Sequence, residues 1–307
     1  MEEIMETNKG INKQGFAKIN EDFIAQCDRE FEILLAESVK TLCQKNSSRV
    51  LGLTGPTCSG KTTAANKLLA YLGDEQKRVI TVSLDDFFKD QFSRSSLVGA
   101  DPEKLDFDSP DTLDTELLGS FVDELFSKGR AKKPIFDFVS GDRSRWVDVE
   151  FDDDDILLFE GIQVLYPSVL SVIEAHGGAV LGVRPESPIE IDGVVFEPDF
   201  IRLCRRLVRD SNFRGASPEF TLGLWESVRR NEETNIFPYM HRCDVKIDTT
   251  LAYEMNVLAP YLRRVLSGVD RNDKYYAQCV NILNLIEGIV GIESFVISPD
   301  SLYREFV

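Results

Sequence analysis

Gly55-Pro56-Thr57-Cys58-Ser59-Gly60-Lys61-Thr62 has the spacing Gly-x4-Gly-Lys-Thr. It follows an apolar, β-branched run at residues 49–54 and leads into residues 63–72, whose pattern reads as a helix. Strand, loop and helix in that order are the setting a phosphate-binding loop needs. Glycines let the backbone curl so that successive amides turn inward, and the helix N-terminus adds positive potential. The stretch from Gly55 through Thr63 is therefore expected to grip nucleotide phosphates, with Lys61 on the β/γ-phosphates and the Thr62 hydroxyl on Mg²⁺.

At 307 residues the chain can bury a large core, as one α/β domain or as one domain with an appendage. A formal charge of -17 argues against nucleic acid or an anionic membrane as the main partner. A small anion is not excluded, because one cradle of amides and cations dominates its own neighbourhood. The six cysteines are widely spaced, with no Cys-x2-Cys and no Cys/His cluster, so reduced thiols in a cytoplasmic protein are expected rather than zinc or disulfides. No signal-peptide pattern opens the chain, and no segment has 18 uninterrupted apolar residues. Cys58 would sit beside the helix N-terminus and Lys61, a setting that favours thiolate, although a structural filler is the preferred reading of this residue.

Residues 1–15 are polar and expected to fray, whereas apolar residues recur at helical spacing over 16–42, predicting one or two helices packed on the domain. The next β-branched run, 78–84, ends in Asp85-Asp86-Phe87-Phe88. Ligands of an open parallel sheet collect outside the carboxyl ends of its strands, which makes an acid there a candidate for chemistry. A long polar stretch, 89–111, reads as a substrate-facing loop, and Ser109-Pro110 as the start of a helix running to Lys128. Residues 134–139 and 146–151 alternate like a β-hairpin, and Asp152 to Asp155 reads as a solvated turn. Ile156-Leu157-Leu158-Phe159-Glu160 reads as a buried parallel strand whose terminal Glu160 faces the nucleotide and shares Mg²⁺ with Thr62. A second hairpin is expected around Asp192-Gly193, then a helix bearing Arg202, Arg205, Arg206 and Arg209, at least two of them forming a lid over phosphates. The closing residues, 297–306, read as a docked tail.

These motifs, together with Phe107-Asp108-Ser109-Pro110-Asp111 and Pro134-Ile135-Phe136-Asp137-Phe138, resemble in order the uridine kinase/phosphoribulokinase family of P-loop kinases. The resemblance spans about residues 49–250 and is closest to the uridine-cytidine kinase branch. Trp225, the run from Arg229 to Glu232, Asn235 to Tyr239 and the Ser301-to-Phe306 tail resemble the bacterial nucleoside kinase subgroup. It implies an α/β P-loop kinase fold: a mostly parallel sheet with helices on both faces, a small β-hairpin substrate region and an arginine-bearing lid. Residues 1–48 would form an N-terminal helical extension, 49–250 the kinase domain and 251–307 C-terminal helices and a tail.

The resemblance further implies ATP as donor, Mg²⁺, a small nucleoside acceptor and no nucleic-acid or membrane partner, with a homo-oligomer left open. Asp85 would activate the 5'-hydroxyl and join Thr62 and Glu160 at the metal, and Asp108 would hold the ribose hydroxyls. Lys61, Arg206 and Arg209 would serve transfer, Arg214 would contact the donor, and Phe88, Phe136 and Phe138 would surround sugar and base, with Arg206 also near the acceptor. Three positions depart from the uridine-cytidine branch: Phe136 replaces a tyrosine, Gly141 a histidine and Ala216 a second lid arginine. Phosphate and ribose chemistry is kept while base recognition is not. Another alcohol or sugar phosphate as acceptor, or a nucleotide-binding protein without turnover, thus stand as alternatives.

Overall fold

In the computed structural model, which describes residues 12–14, 19–45, 49–90, 109–137, 140–292 and 296–307, the run before the glycine loop is strand β2 (Val50–Thr54). It is the middle strand of a parallel sheet ordered β10 (Val245–Asp248), β7 (Ala179–Arg184), β2, β6 (Ile156–Glu160) and β3 (Val79–Ser83). The alternation of side chains along each strand divides the core in two. Leu51, Leu53, Leu158, Leu181 and Val183 face one side, and Val50, Leu157, Phe159 and Val180 the other. Both faces are covered, which is why these strands read as continuous apolar runs.

The first face packs on α1 (Glu21–Lys45), α2 (Lys61–Asp74), α5 (Pro198–Arg214), α6 (Pro218–Asn231), α7 (Glu254–Leu266) and α8 (Tyr276–Leu285). The second packs on α3 (Thr115–Lys128) and α4 (Pro167–Ala175). Ile24, Phe31, Leu35, Val39 and Leu42 form one buried stripe, so the amphipathic stretch near the N-terminus is a single helix, α1. That stripe, the sheet, α7, α8 and the tail share one hydrophobic cluster. Among the described residues, no helix is long and apolar enough to cross a membrane.

Two expectations about elements are corrected. The helix expected from Ser109 begins later: Ser109 caps only a short turn, Pro110–Thr112, after which Leu113 is extended and bridges to Phe88. Asp114 then accepts from the Leu117 amide at 3.0 Å and starts α3, which ends at left-handed Gly129. Near the N-terminus, where fraying was expected, β1 (Asn12–Gln14) runs parallel to β8 (Ile189–Ile191) and extends its hairpin with β9 (Val194–Phe196).

The other hairpin, β4 (Arg130–Asp137) with β5 (Asp142–Glu150), is tied to the carboxyl end of β3. Asp86 pairs with Lys133 at 2.7 Å and accepts from the Phe136 amide at 3.2 Å. Arg143 donates to the Phe88 carbonyl at 3.0 Å and to Asp114 at 2.6 Å. Of the two acids that close β3, Asp86 thus fixes the hairpin and Asp85 is left to the sheet edge.

Candidate active site

A loop that is to offer its amides to a ligand needs other donors for its carbonyls. Five successive carbonyls have them. Lys61 Nζ donates to Gly55 O at 2.9 Å and Pro56 O at 3.0 Å. Arg202 donates to Thr57 O at 3.0 Å, Arg205 to Cys58 O at 3.1 Å, and the Thr249 hydroxyl to Ser59 O at 2.7 Å. Arg202 is itself paired with buried Glu232, which also accepts from the Thr57 amide at 3.2 Å, and Arg205 is paired with buried Glu254. At Gly55 a side chain is impossible: a Cβ would lie 2.0 Å from the Val183 carbonyl oxygen.

Beside this braced loop is a cleft of about 380 Å³. Thr57, Cys58, Lys61 and Thr62 line it from the loop and α2, Asp85 from the end of β3, and Glu160 from the end of β6. Arg206, Arg209 and Arg214 enter from α5, and Glu305 from the tail. Three arginines converge on buried Asp210, with Arg206 at 3.3 Å, Arg209 at 2.8 Å and Arg214 at 3.6 Å. One carboxylate cannot neutralise three guanidinium groups, so this wall keeps positive charge for an anion.

Burial raises the pKa of Asp85, an effect partly offset by Gln163, whose Nε2 donates to Asp85 Oδ1 at 2.7 Å, and by Lys61. Burial also raises Glu160, with Lys61 pulling it down and Asp85 and Glu305 pushing it up. It lowers Lys61 against the attraction of Glu305, Cys58 and Glu160. Cys58 is buried, and burial pushes its thiol up in spite of Arg209 and Arg206, as suits a structural filler rather than a thiolate. Burial outweighs the helix terminus there.

Of the expected residues, the structure therefore brings together Thr57, Cys58, Lys61, Thr62, Asp85, Glu160, Arg206, Arg209 and Arg214. Gly55, Pro56, Ser59 and Gly60 are buried in the loop, and Thr63 lies in the first turn of α2, outside the lining. Phe88 and Phe136 are buried against each other, ring centroids 5.4 Å apart, and neither lines the cleft. Asp108 and Phe138 lie outside the described residues. Arg202 and Arg205 are loop braces, not lid groups. Sequence reading missed Gln163, Asp210, Glu232, Glu254, Thr249 and Glu305, whose partners are mostly far away along the chain.

An oxygen set of the Thr62 hydroxyl and the Glu160 and Asp85 carboxylates suits Mg²⁺, which takes one or two carboxylates and completes its shell with water and phosphate. Among the described residues no group of three acids, histidines or cysteines forms a full protein cage.

A model of the phosphoribulokinase/uridine kinase family matches residues 50–254. The uridine kinase of Clostridium novyi (strain NT) is 32% identical over 166 residues, which are 54% of this chain and 70% of that one. The uridine kinase of Lactobacillus johnsonii is 27% identical over 225 residues, 72% of this chain and 96% of the other. Among solved structures, a possible uridine kinase from Bacillus stearothermophilus aligns with 70% of this chain and 100% of its own, with a TM-score of 0.44 and 20% identity.

Proposed function

The chain belongs to the phosphoribulokinase/uridine kinase family and is a phosphotransferase acting on a hydroxyl group, and on that premise we propose that its acceptor is a nucleoside. ATP is the donor, the 5'-hydroxyl is the acceptor atom, uridine is the default substrate, and the enzyme works with Mg²⁺ in the cytoplasm. The observation that carries this reading is that one cleft joins the phosphate loop, through Lys61 and Thr62, to the acid edge of the sheet, through Asp85 and Glu160.

In this reading Asp85 orients the acceptor hydroxyl and takes its proton as the oxygen attacks the γ-phosphorus. A carboxylate whose pKa is raised by burial is a stronger base than a solvated one, provided that it is ionised. Lys61 exchanges the Gly55 and Pro56 carbonyls for phosphate oxygens. Arg206 and Arg209, aimed by Asp210, stabilise charge on the transferring group, and Arg214 contacts the donor. Thr62 and Glu160 would hold Mg²⁺, which when bound neutralises the phosphates. Asp108, Phe88, Phe136 and Phe138 remain the proposed acceptor contacts.

Gln163 offers a test of the proton step. Its hydrogen bond favours ionised Asp85, so Gln163→Leu is expected to raise the Asp85 pKa further. The acid limb of the kcat/KM profile should then move to higher pH, with activity near neutrality less affected than activity in mild acid. An acid limb that does not move would separate it from Asp85.

Acceptor identity is tested with a panel of nucleosides, sugar phosphates and small polyols, each with ATP and Mg²⁺. The proposal expects ADP formation to rise with nucleosides and stay at background with the rest. Phe136 and Gly141 favour the second reading, another small alcohol, because neither offers a side-chain hydrogen bond to a base. Turnover confined to a polyol or sugar phosphate would select it.

A further inference from the structure

The tail lies beyond residues 50–254, the stretch the family model matches, yet it forms part of the cleft wall. Leu302 fills the space beside Gly60, its Cδ1 lying 2.3 Å from where a Gly60 Cβ would stand. Tyr303 and Phe306 place their rings 5.8 and 5.2 Å from the guanidinium of Arg205, the brace of Cys58. On the other side the tail is held by the N-terminal helix: Ser301 Oγ donates to Asp28 Oδ1 at 3.0 Å, and the Tyr253 hydroxyl donates to the same oxygen. Asn212 fixes the Phe306 carbonyl at 3.2 Å. These anchors lie on both sides of residue 305 and turn its side chain into the cleft.

Glu305 Oε2 is buried there with no hydrogen-bond partner among the described residues. Lys61 is engaged with Gly55 and Pro56, and Arg209 with Asp210. Lys61 and Glu160 both feel the charge of Glu305. A half-buried carboxylate, one oxygen of it sealed away without a hydrogen bond, therefore stands in the same cleft as the lysine and arginines that would receive a polyanion, with Lys61 and Arg209 as the cations that feel its charge.

We propose that Glu305 is a specificity-determining residue of the donor site, repelling phosphates that arrive bare and admitting those that arrive with a divalent cation. The inference rests on reading this cleft as the donor site. At the separations found in one small cleft, with part of the water excluded, like charges repel far more strongly than in bulk water. A cation carried on the phosphates cancels that repulsion, so the carboxylate makes binding conditional on metal. The N-terminal helix and the tail would thereby supply a device that the matched kinase region lacks.

Full-length wild type and Glu305→Gln, titrated with ATP in excess chelator and again with Mg²⁺, test this by calorimetry. Glu305→Gln is expected to bind metal-free ATP at least tenfold more tightly than wild type, with less than threefold change for the magnesium complex. Glu305→Ala should give the same change, and melting temperatures near wild type check that the tail stays seated. Unchanged metal-free affinity in both variants overturns the proposal. So does a selective loss of affinity for the magnesium complex, which would make Glu305 a metal ligand. If wild type binds ATP in neither condition, the donor reading itself falls, and this inference with it.

Discussion

Asp85→Asn is expected to lower kcat by about 10²- to 10⁴-fold, the range a positioned acid or base contributes, while leaving affinity for metal-free ATP near wild type. Asparagine keeps the shape and can still meet Gln163, but it cannot take a proton. The same substitution should raise the melting temperature near neutral pH. Burial raises the pKa of Asp85 in the folded chain, so the stability it contributes is present below the ordinary carboxylate pKa and lost as pH rises through the raised value. Removing the charge removes that cost. Lower turnover with higher stability is the mark of a functional acid held at the expense of the fold, whereas a structural carboxylate would lose both. Kinetics and thermal melts on one preparation decide between them.

Arg205→Met should cost about 3–5 kcal/mol in urea denaturation, the usual penalty for breaking a buried ion pair from one side. Arg205 and Glu254 are both fully buried, and the arginine also holds the Cys58 and Thr249 carbonyls. The variant leaves a buried carboxylate without its partner and two carbonyls without a donor. Replacing both partners, Arg205→Met with Glu254→Met, should recover a good part of the loss, since the stranded charge disappears. Because the lost hydrogen bond to Cys58 is not restored, the double variant should still bind ATP less tightly than wild type. A single-variant cost below about 1 kcal/mol would show that the loop does not depend on this pair.

The parts of the molecule legible in the sequence are those set by short-range pattern. Strands buried on both faces must be apolar throughout, so β2 and β6 are plain in the sequence, and the acid just past β3 and the acid ending β6 stand out against their runs. The glycine loop is fixed by local sterics and was equally plain. The arginine helix was only half legible. Arg202, Arg205, Arg206 and Arg209 all recur at spacings of three or four, so periodicity cannot separate them. What separates them is position along α5: the first two meet Glu232 and Glu254, and the last two reach the cleft.

Those glutamates lie 30 and 49 residues from their partners and look like ordinary helical surface acids in the sequence. Gln163 sits in a short apolar turn, where nothing local marks it as the partner of an acid 78 residues earlier. Glu305 is carried to the cleft by a tail that packs Leu302 against Gly60, far away along the chain. Long-range pairings of this kind are decided by tertiary packing, which a single sequence does not display.

The most direct measurement follows the γ-phosphate itself. With labelled ATP, Mg²⁺ and uridine or another nucleoside, wild type should move the label to the 5'-oxygen of the nucleoside in a one-to-one ratio with ADP, and Asp85→Asn should all but abolish the transfer. Label that remains on ATP with every nucleoside, or that leaves only as inorganic phosphate, would contradict the assignment of this cleft to a nucleoside kinase.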